Sequence, residues 1–287
     1  MDARQQCSVV EKPRVDAAAS VVRKPPTGGA ASVVLAAFFA VAVGVAVFGA
    51  LVPLDGTSTV GMGFEPPSAD HPLGTDKLGR DVLARTLHGG ARLLGVALVA
   101  TLAATAMGTL LGFATAGRSW GARGLSAVVD LFVVIPSVVT LMVLVFGLGA
   151  GVGTMVVVTV VASAPYMARY MRSVVRPVLA SDYVAAARLA GDPVWLVAVR
   201  EVLPNVALPM ATSAGQRFIG AVYLVASAAF LGFDPLGGGA DWATMIQEGM
   251  GGLALNPWAT LAPAIALACV TVSGNLLIDR LGKGTEG

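Results

Sequence analysis

Long apolar runs constrain this chain more than any other feature of its sequence. The first, Val33–Leu54, contains no charged residue over 22 positions, and about 20 apolar residues are enough for a helix to cross a bilayer. Five further runs satisfy the same length criterion, at 91–116, 125–148, 152–172, 206–231 and 258–278. Backbone polar groups inside a bilayer must bond within their own segment or barrel. The sequence therefore predicts an all-α polytopic membrane protein with six transmembrane helices.

The composition agrees with this class. Charged residues make up 13% of the chain, against about 25% in soluble domains, and the net charge of +2 is too small to favour a nucleic acid partner. A cleaved signal peptide is the alternative for the first run, but its apolar core would be only about 7–15 residues long. Cys7 and Cys269 lie one in a polar tail and one in an apolar run, so they are a poor disulfide pair, and they have no metal-ligand spacing. His71 is more typical of a loop histidine than of a ligand, and neither a metal nor a cofactor is expected.

Basic residues set the expected orientation. Most of the 19 Lys and Arg lie in the two tails and in the loops after the second and fourth spans, whereas Lys77, Arg80 and Arg85 lie in the first outer loop. By the positive-inside rule, both termini are cytoplasmic. We therefore expect a disordered cytoplasmic tail at 1–32, a first span at 33–54, an extracytoplasmic loop with an interfacial helix at 55–90, a five-helix core at 91–280 and a cytoplasmic tail at 281–287.

A charged stretch, 181–205, separates the fourth and fifth spans and reads SDYVAAARLAGDPVWLVAVREVLPN. Ser181 or Asp182 can cap a first helix, and Gly191 can close it as a left-handed residue. Asp192-Pro193 is typical of the start of a second helix, which Leu203-Pro204 would end. Two short helices joined at a glycine form a compact surface at one face of a membrane, and such a surface suits docking, although Gly191 also serves as an ordinary helix end.

This stretch resembles the cytoplasmic "EAA" loop of bacterial ABC importer permeases, whose pattern is EAA, a Gly four residues after the last Ala, and then LP. Ala185 stands where that family usually has Glu. The resemblance implies that the stretch contacts an ATPase subunit. We hypothesise that Asp182, Arg188 or Glu201 carries the polar part of this contact, because Ala185 cannot. The alternative is that a partner permease supplies the tighter contact. The matching residues are Ala186, Ala187, Gly191, Leu203 and Pro204.

A second stretch, His71–Arg92, reads HPLGTDKLGRDVLARTLHGGAR. Physically it indicates a solvated loop and an interfacial helix capped by Thr75 or Asp76. As a pattern it resembles the HxLGTDxxGRD motif of the "C" permease in dipeptide, oligopeptide and nickel importers. Later segments match the same family in order, so the resemblance covers about 33–282. Val225 and Ala229 depart from the Glu and Ser that the family often has, which predicts an atypical cavity lining.

The resemblance implies a MetI-like ABC type I importer permease in the bacterial inner (plasma) membrane. Its partners would be a related "B" permease, two ABC ATPase subunits and an extracytoplasmic substrate-binding protein. The sequence contains no GxSxG, HExxH or CxxC motif, so we expect no catalytic site, and the ATPase subunits would hydrolyse ATP. Peptides are the expected substrate, with nickel or a metal chelate as the alternative. A stand-alone secondary transporter or channel is a second class, disfavoured because the spans hold few ionisable residues.

One of these few is Arg217, which follows Gln216 in the fifth span. It lies about eleven residues into the span, or ~16 Å at 1.5 Å per residue. A lipid-facing charge there would cost at least ~2.5–3.5 kcal/mol, so the side chain should face protein or water. Two interpretations stay open. Arg217 bonds freed carbonyls or an acid of the partner permease, or it lines the pathway with Gln216 and attracts anionic groups.

Overall fold

The computed structural model describes residues 29–117 and 119–283. Within them the chain is helical, and its only extended pairings are two isolated bridges, Thr59 with Arg80 and Thr75 with Asp81. Most of the predicted disordered tail, residues 1–28, lies outside the described residues, as do residues 284–287 of the second tail. Residues 29–32 belong to the first helix rather than to the tail.

Ten α-helices follow one another in the described part of the chain. Turns of 3₁₀-helix follow the first and ninth, at Gly49–Leu51 and Met250–Gly252, and a π-helical turn, Ala198–Val202, joins the seventh to the eighth. The helices are α1 Gly29–Phe48, α2 Val82–Ala116, α3 Trp120–Val134, α4 Ser137–Leu148, α5 Val152–Leu179, α6 Asp182–Leu189, α7 Val194–Val197, α8 Leu203–Phe230, α9 Trp242–Gly249 and α10 Trp258–Lys283.

The membrane-crossing elements follow the predicted runs. Among the described residues, four helical segments are long and apolar enough to cross a bilayer: Val82–Ala116, Val152–Leu179, Val194–Phe230 and Trp258–Arg280. The pair α3 and α4 makes a fifth crossing if it is counted as one broken span. Helix α1, with its apolar stretch Ala36–Phe48, lies where the first span is predicted. The predicted helical class is confirmed, and the count of six is consistent with these segments when α1 is included.

The third predicted span is broken. Helices α3 and α4 meet at 91°. Ile135 between them is extended, with φ −73° and ψ 123°, because a residue that precedes proline is disfavoured in the helical region. Pro136 then occupies the position before the first residue of α4. The run 125–148 is therefore two helices set at a right angle.

Two helix boundaries differ from the predictions. Asp81, and neither Thr75 nor Asp76, caps α2 by accepting the Ala84 N–H at 2.8 Å, and α2 continues through the second span without a separate interfacial helix. In the 181–205 stretch, Pro204 does not end a helix, because α7 continues into α8 through the π-helical turn. Pro204 is tolerated there because it lies in the first turn of α8, the place in a helix where proline fits best.

The centre of the bundle is the contact between α2 and α5. Gly108 and Gly112 lie one turn apart on α2, against Met167 and Met171 of α5. A Cβ added at Gly108 would lie 2.5 Å from the Met167 Cβ. Small residues at this spacing let two helices in a membrane approach closely. This contact makes α2 and α5 the scaffold on which α8 packs.

Candidate functional site

The 181–205 segment contains a sharply defined turn. Gly191 has φ +90°, which confirms its predicted left-handed conformation. The Asp192 N–H donates to the Ala187 carbonyl at 3.2 Å, and the Gly191 N–H donates to the Arg188 carbonyl at 3.1 Å. This pair of bonds is the Schellman motif that closes many helices. Ser181 holds the N-cap position without a side-chain cap, since its hydroxyl donates back to the Val178 carbonyl at 2.7 Å.

The segment is fixed to the spans by buried valines. Val184, Val197 and Val202 are at most 3% exposed, and they pack with Met171 and Val175 of α5 in one apolar cluster. A close-packed contact transmits displacement because it has little room to deform. These valines are not among the residues predicted from the sequence. The four-residue spacing of Val202 and Val206 is the signal that could have found part of this buried face.

Most of the residues predicted to contact an ATPase subunit are exposed on the surface of the segment. Ala187 and Leu203 are half-buried and pack against the valine cluster. Glu201 is half-buried too, with its carboxylate 3.9 Å from Arg200 Nε. The exposed members are Asp182, Ala185, Ala186, Arg188, Gly191 and Pro204.

The tip of the segment is apolar, which was not predicted from the sequence either. Leu189, Val194 and Trp195 flank the Gly191 turn and are 90%, 84% and 67% exposed. We call these three residues the apolar tip. Several large apolar side chains exposed at one turn suit a surface that binds another protein.

A recess lined by arginines lies beside the segment. It has a volume of about 770 Å³ and is bounded by the end of α2, the start of α3, the end of α5 and α6. Arg123, Arg176 and Arg188 line it, and no acidic residue is among its described lining. Arg123 stacks on Trp120, with the guanidinium carbon 4.6 Å from the ring centroid. Clustered positive charge in a recess attracts acidic groups. We call this feature the arginine recess.

A second cavity lies within the spans and brings Gln216 and Arg217 together. It has a volume of about 200 Å³, and its polar lining also includes Ser137, Ser163 and Tyr166. The Arg217 guanidinium carbon lies 5.4 Å from the centroid of the Tyr166 ring. We call this feature the Arg217 cavity.

The structure also gives the surroundings of three other intramembrane residues. Asp130 of α3 pairs with Arg172 of α5 at 3.0 Å. Val225 and Ala229 are 1% and 2% exposed in the main apolar core. They do not line the Arg217 cavity, so the expectation that they alter a cavity lining is wrong for this cavity.

At the opposite end of the bundle, the HxLGTDxxGRD stretch takes part in a buried ionic contact. Asp76 accepts the Leu78 and Arg80 N–H groups at 2.7 and 2.9 Å, and it pairs with the side chains of Arg80 and Arg85. Arg85 of α2, 2% exposed, also reaches Glu248 at 3.2 Å, which ties α2 to α9. The expected solvated loop is therefore wrong for these residues. Burial alone would raise the pKa of Asp76, but the Arg80 N–H and the Arg85 charge outweigh it and hold the pKa below its ordinary value.

A comparison with protein families identifies the chain. The model of the "binding-protein-dependent transport system inner membrane component" family matches residues 104–287, which is more than half of the sequence. The chain belongs to this family. It is thus an inner membrane permease component that crosses the membrane several times.

Curated relatives of this permease component agree with the match. The peptide transport system permease protein SapC of Escherichia coli O6:H1 (strain CFT073) is 32% identical over 216 residues, 75% of this chain and 71% of SapC. The dipeptide transport system permease protein DppC of Alkalihalophilus pseudofirmus is 27% identical over 220 residues, 76% of this chain and 72% of DppC.

The fold of the permease component also matches a solved structure. An inward-facing conformation of the MetNI methionine ABC transporter superposes with a TM-score of 0.56 at 18% identity, covering 71% of this chain and 95% of that chain. At this identity the likeness shows the fold. The predicted MetI-like permease architecture is confirmed.

Proposed function

We propose that this permease is one half of the translocation pathway of an ATP-driven importer of peptides. The coupling role is supported by the 181–205 segment, whose base is packed against the spans and whose tip is exposed. For the substrate, the names of SapC and DppC favour peptides. Nickel or a metal chelate is the alternative cargo.

The apolar tip and the arginine recess give the segment two kinds of contact with an ATPase subunit. Leu189, Val194 and Trp195 offer apolar area for a groove, and aromatic anchors commonly dominate such interfaces. Arg188, which lines the recess, takes the electrostatic role that Ala185 cannot fill. Asp182 and Glu201 contribute less, because Asp182 lies away from the described lining of the recess and Glu201 is half-buried beside Arg200.

The coupling mechanism follows from the buried valines. Closure of two ATPase subunits on ATP displaces the tip, and the tightly packed valines carry that displacement into α5 and α8. Both helices also line the Arg217 cavity. Movement of the tip on the cytoplasmic side therefore alters the pathway inside the membrane, which is the physical requirement for alternating access.

A second, related permease completes the pathway. Helix α5 exposes Tyr166, Arg169 and Tyr170 along one face, and α8 exposes Gln216. Polar and charged side chains are costly against lipid, so this face meets the other permease and the water between them. A substrate-binding protein would dock at the extracytoplasmic end, which the Asp76–Arg85–Glu248 contact stabilises.

The test is to purify the chain from its native membrane in mild detergent, identify the accompanying subunits and reconstitute the complex. We expect two ATPase subunits, a second permease and uptake of labelled trialanine that requires ATP and is blocked by orthovanadate. Uptake of nickel ions in place of trialanine would favour the alternative cargo. Uptake driven by an ion gradient, with no ATPase present, would overturn the importer proposal in favour of a secondary transporter.

A further inference from the structure

The Arg217 cavity lies beside the middle of α8 and has polar side chains in its lining. Arg217 lies about 20 Å from either end of α8 at 1.5 Å per residue. The break at Pro136 places Ser137, the first residue of α4, at the cavity, opposite Tyr166 on α5. Water occupies about 30 Å³ per molecule in the liquid, so ~200 Å³ has room for several waters or for one carboxylate and its neighbouring atoms.

The charge of Arg217 is not neutralised by the described part of the chain. No carboxylate of the described residues pairs with it, and its Nε is buried without a hydrogen-bond partner. Asp130, the acid that α3 contributes, is already paired with Arg172. The face of the Tyr166 ring supplies only a cation–π contact, and the Tyr166 hydroxyl is engaged by donating to the Val133 carbonyl at 2.9 Å.

A half-buried guanidinium without a charged partner is suited to reversible binding of an anion. The guanidinium offers a planar fork of donors that matches a carboxylate in two parallel hydrogen bonds. Gln216, Ser137 and Ser163 add neutral hydrogen-bonding groups to the same cavity. Because the site has one positive charge and water can take the place of the anion, it holds a carboxylate weakly enough to release it. A transport pathway requires such release.

We propose that Arg217 is an anion site within the translocation pathway and receives a carboxylate of the passing substrate. For a peptide cargo this group is the C-terminal carboxylate, and that identity rests on the proposed function. The site itself does not, because it needs only a water-accessible cavity whose potential is set by Arg217. The first experiment therefore measures the cavity without any substrate.

The first experiment uses a cysteine reporter in the reconstituted complex. Cys7 and Cys269 are replaced by Ser, and Gln216→Cys, an exposed position beside Arg217, is reacted with an anionic sulfonate and a cationic trimethylammonium methanethiosulfonate. We expect the anionic reagent to react faster. Adding Arg217→Gln should lower the anion-to-cation rate ratio by about tenfold, because the local positive potential is lost. Arg217→Lys should keep most of the ratio.

The control is Arg176→Gln, which removes an arginine that lies about 15 Å further along α5 than Tyr166. It should leave the ratio within about twofold, since charges beyond a Debye length of about 8–10 Å are largely screened. No reaction with either reagent, or a ratio that Arg217→Gln leaves unchanged, would overturn the proposal. An unchanged ratio with a lowered melting temperature would assign Arg217 to a structural pair, for instance with the second permease.

The second experiment uses transport of trialanine and of trialanine amide, with the same substrate-binding protein throughout. Arg217→Gln should lower the rate of trialanine uptake by about tenfold, because the carboxylate loses its charge partner. It should leave the rate of any uptake of trialanine amide within about twofold of the parent rate. If the parent complex imports neither peptide, the proposed peptide function fails while the cysteine result still stands. If the parent imports trialanine and Arg217→Gln imports it equally fast, the anion site fails and the peptide function stands.

Discussion

At the scale of single residues, Gly191 decides how α6 ends and where the apolar tip points. Its φ of +90° is open to glycine and strained for most side chains. No neighbouring atom lies within 4 Å of an added Cβ. A substitution at Gly191 therefore acts through the backbone conformation and leaves packing unchanged.

We predict that Gly191→Leu abolishes uptake and loosens the ATPase subunits while the chain still inserts. A left-handed conformation costs an L-residue roughly 1–2 kcal/mol, which the exposed turn can relieve by changing shape. Gly191→Asn is the matched control, because Asn tolerates this region and should keep most of the transport. Uptake and ATPase retention in membranes measure both, and parental uptake by the Leu variant would contradict the prediction.

Asp76 supports a second residue-scale prediction, about pH. Its folded-state pKa lies below the ordinary 3.8, so its contribution to stability is complete above that pH and is lost as pH falls through the folded-state pKa. Asp76→Asn should destabilise the complex by about 3 kcal/mol at neutral pH, because Arg85 stays buried with one partner fewer. The difference in the free energy of unfolding between Asp76→Asn and the parent should shrink below about pH 3.8.

Melting curves in detergent across pH check this prediction for Asp76. Asp70→Asn is the control, because Asp70 is an exposed acid in the same loop. This variant should have the melting temperature of the parent. A melting temperature of Asp76→Asn equal to that of the parent at neutral pH would show that the buried ionic contact adds no stability.

At the scale of elements, the close approach of α2 and α5 determines how firmly the scaffold holds. A Cβ at Gly108 would meet the Met167 Cβ at 2.5 Å and the Ala164 carbonyl oxygen at 2.8 Å, atoms that cannot rotate away. We predict that Gly108→Ala destabilises the protein by about 1–3 kcal/mol, the usual cost of overpacking. Gly95→Ala is the control on the same helix, since nothing lies within 4 Å of its Cβ. It should be neutral or stabilise by up to ~1 kcal/mol in the same thermal melt.

The elements also show what could be predicted from the sequence. The apolar runs locate the spans, because length and hydropathy are local properties, and the Gly191 turn follows from local backbone preference. The right-angle break at Pro136 could not be separated from a kink, since both satisfy the same proline geometry. The continuation of α7 past Pro204 depends on a π-helical turn, which has no clear sequence pattern. Arg217 could be recognised from its depth in the fifth span. Its cavity could not be predicted, because it depends on the positions of α4 and α5 in the structure.

At the scale of the whole molecule, the two ends of the bundle carry different chemistry. One end has the apolar tip and the arginine recess, both open to a partner. The other is closed by the buried contact of Asp76 and Arg85 with Glu248. Between them, the valine cluster joins the tip to α5 and α8, which line the Arg217 cavity. A force applied at the tip therefore has a continuous packed path to the cavity.

This arrangement predicts that Trp195 anchors the ATPase subunits. Trp195 is 67% exposed, so Trp195→Ala should leave insertion and the melting temperature of the chain unchanged. Loss of an aromatic anchor typically costs 2 kcal/mol or more in binding, which weakens association by tenfold or more. The amount of ATPase that co-purifies with the chain, measured against the second permease, reports this loss. Trp258→Ala is the control, because Trp258 begins α10 at the opposite end of the bundle. ATPase recovery equal to that of the parent in Trp195→Ala, or an equal loss in both variants, would show that the apolar tip is not the anchor.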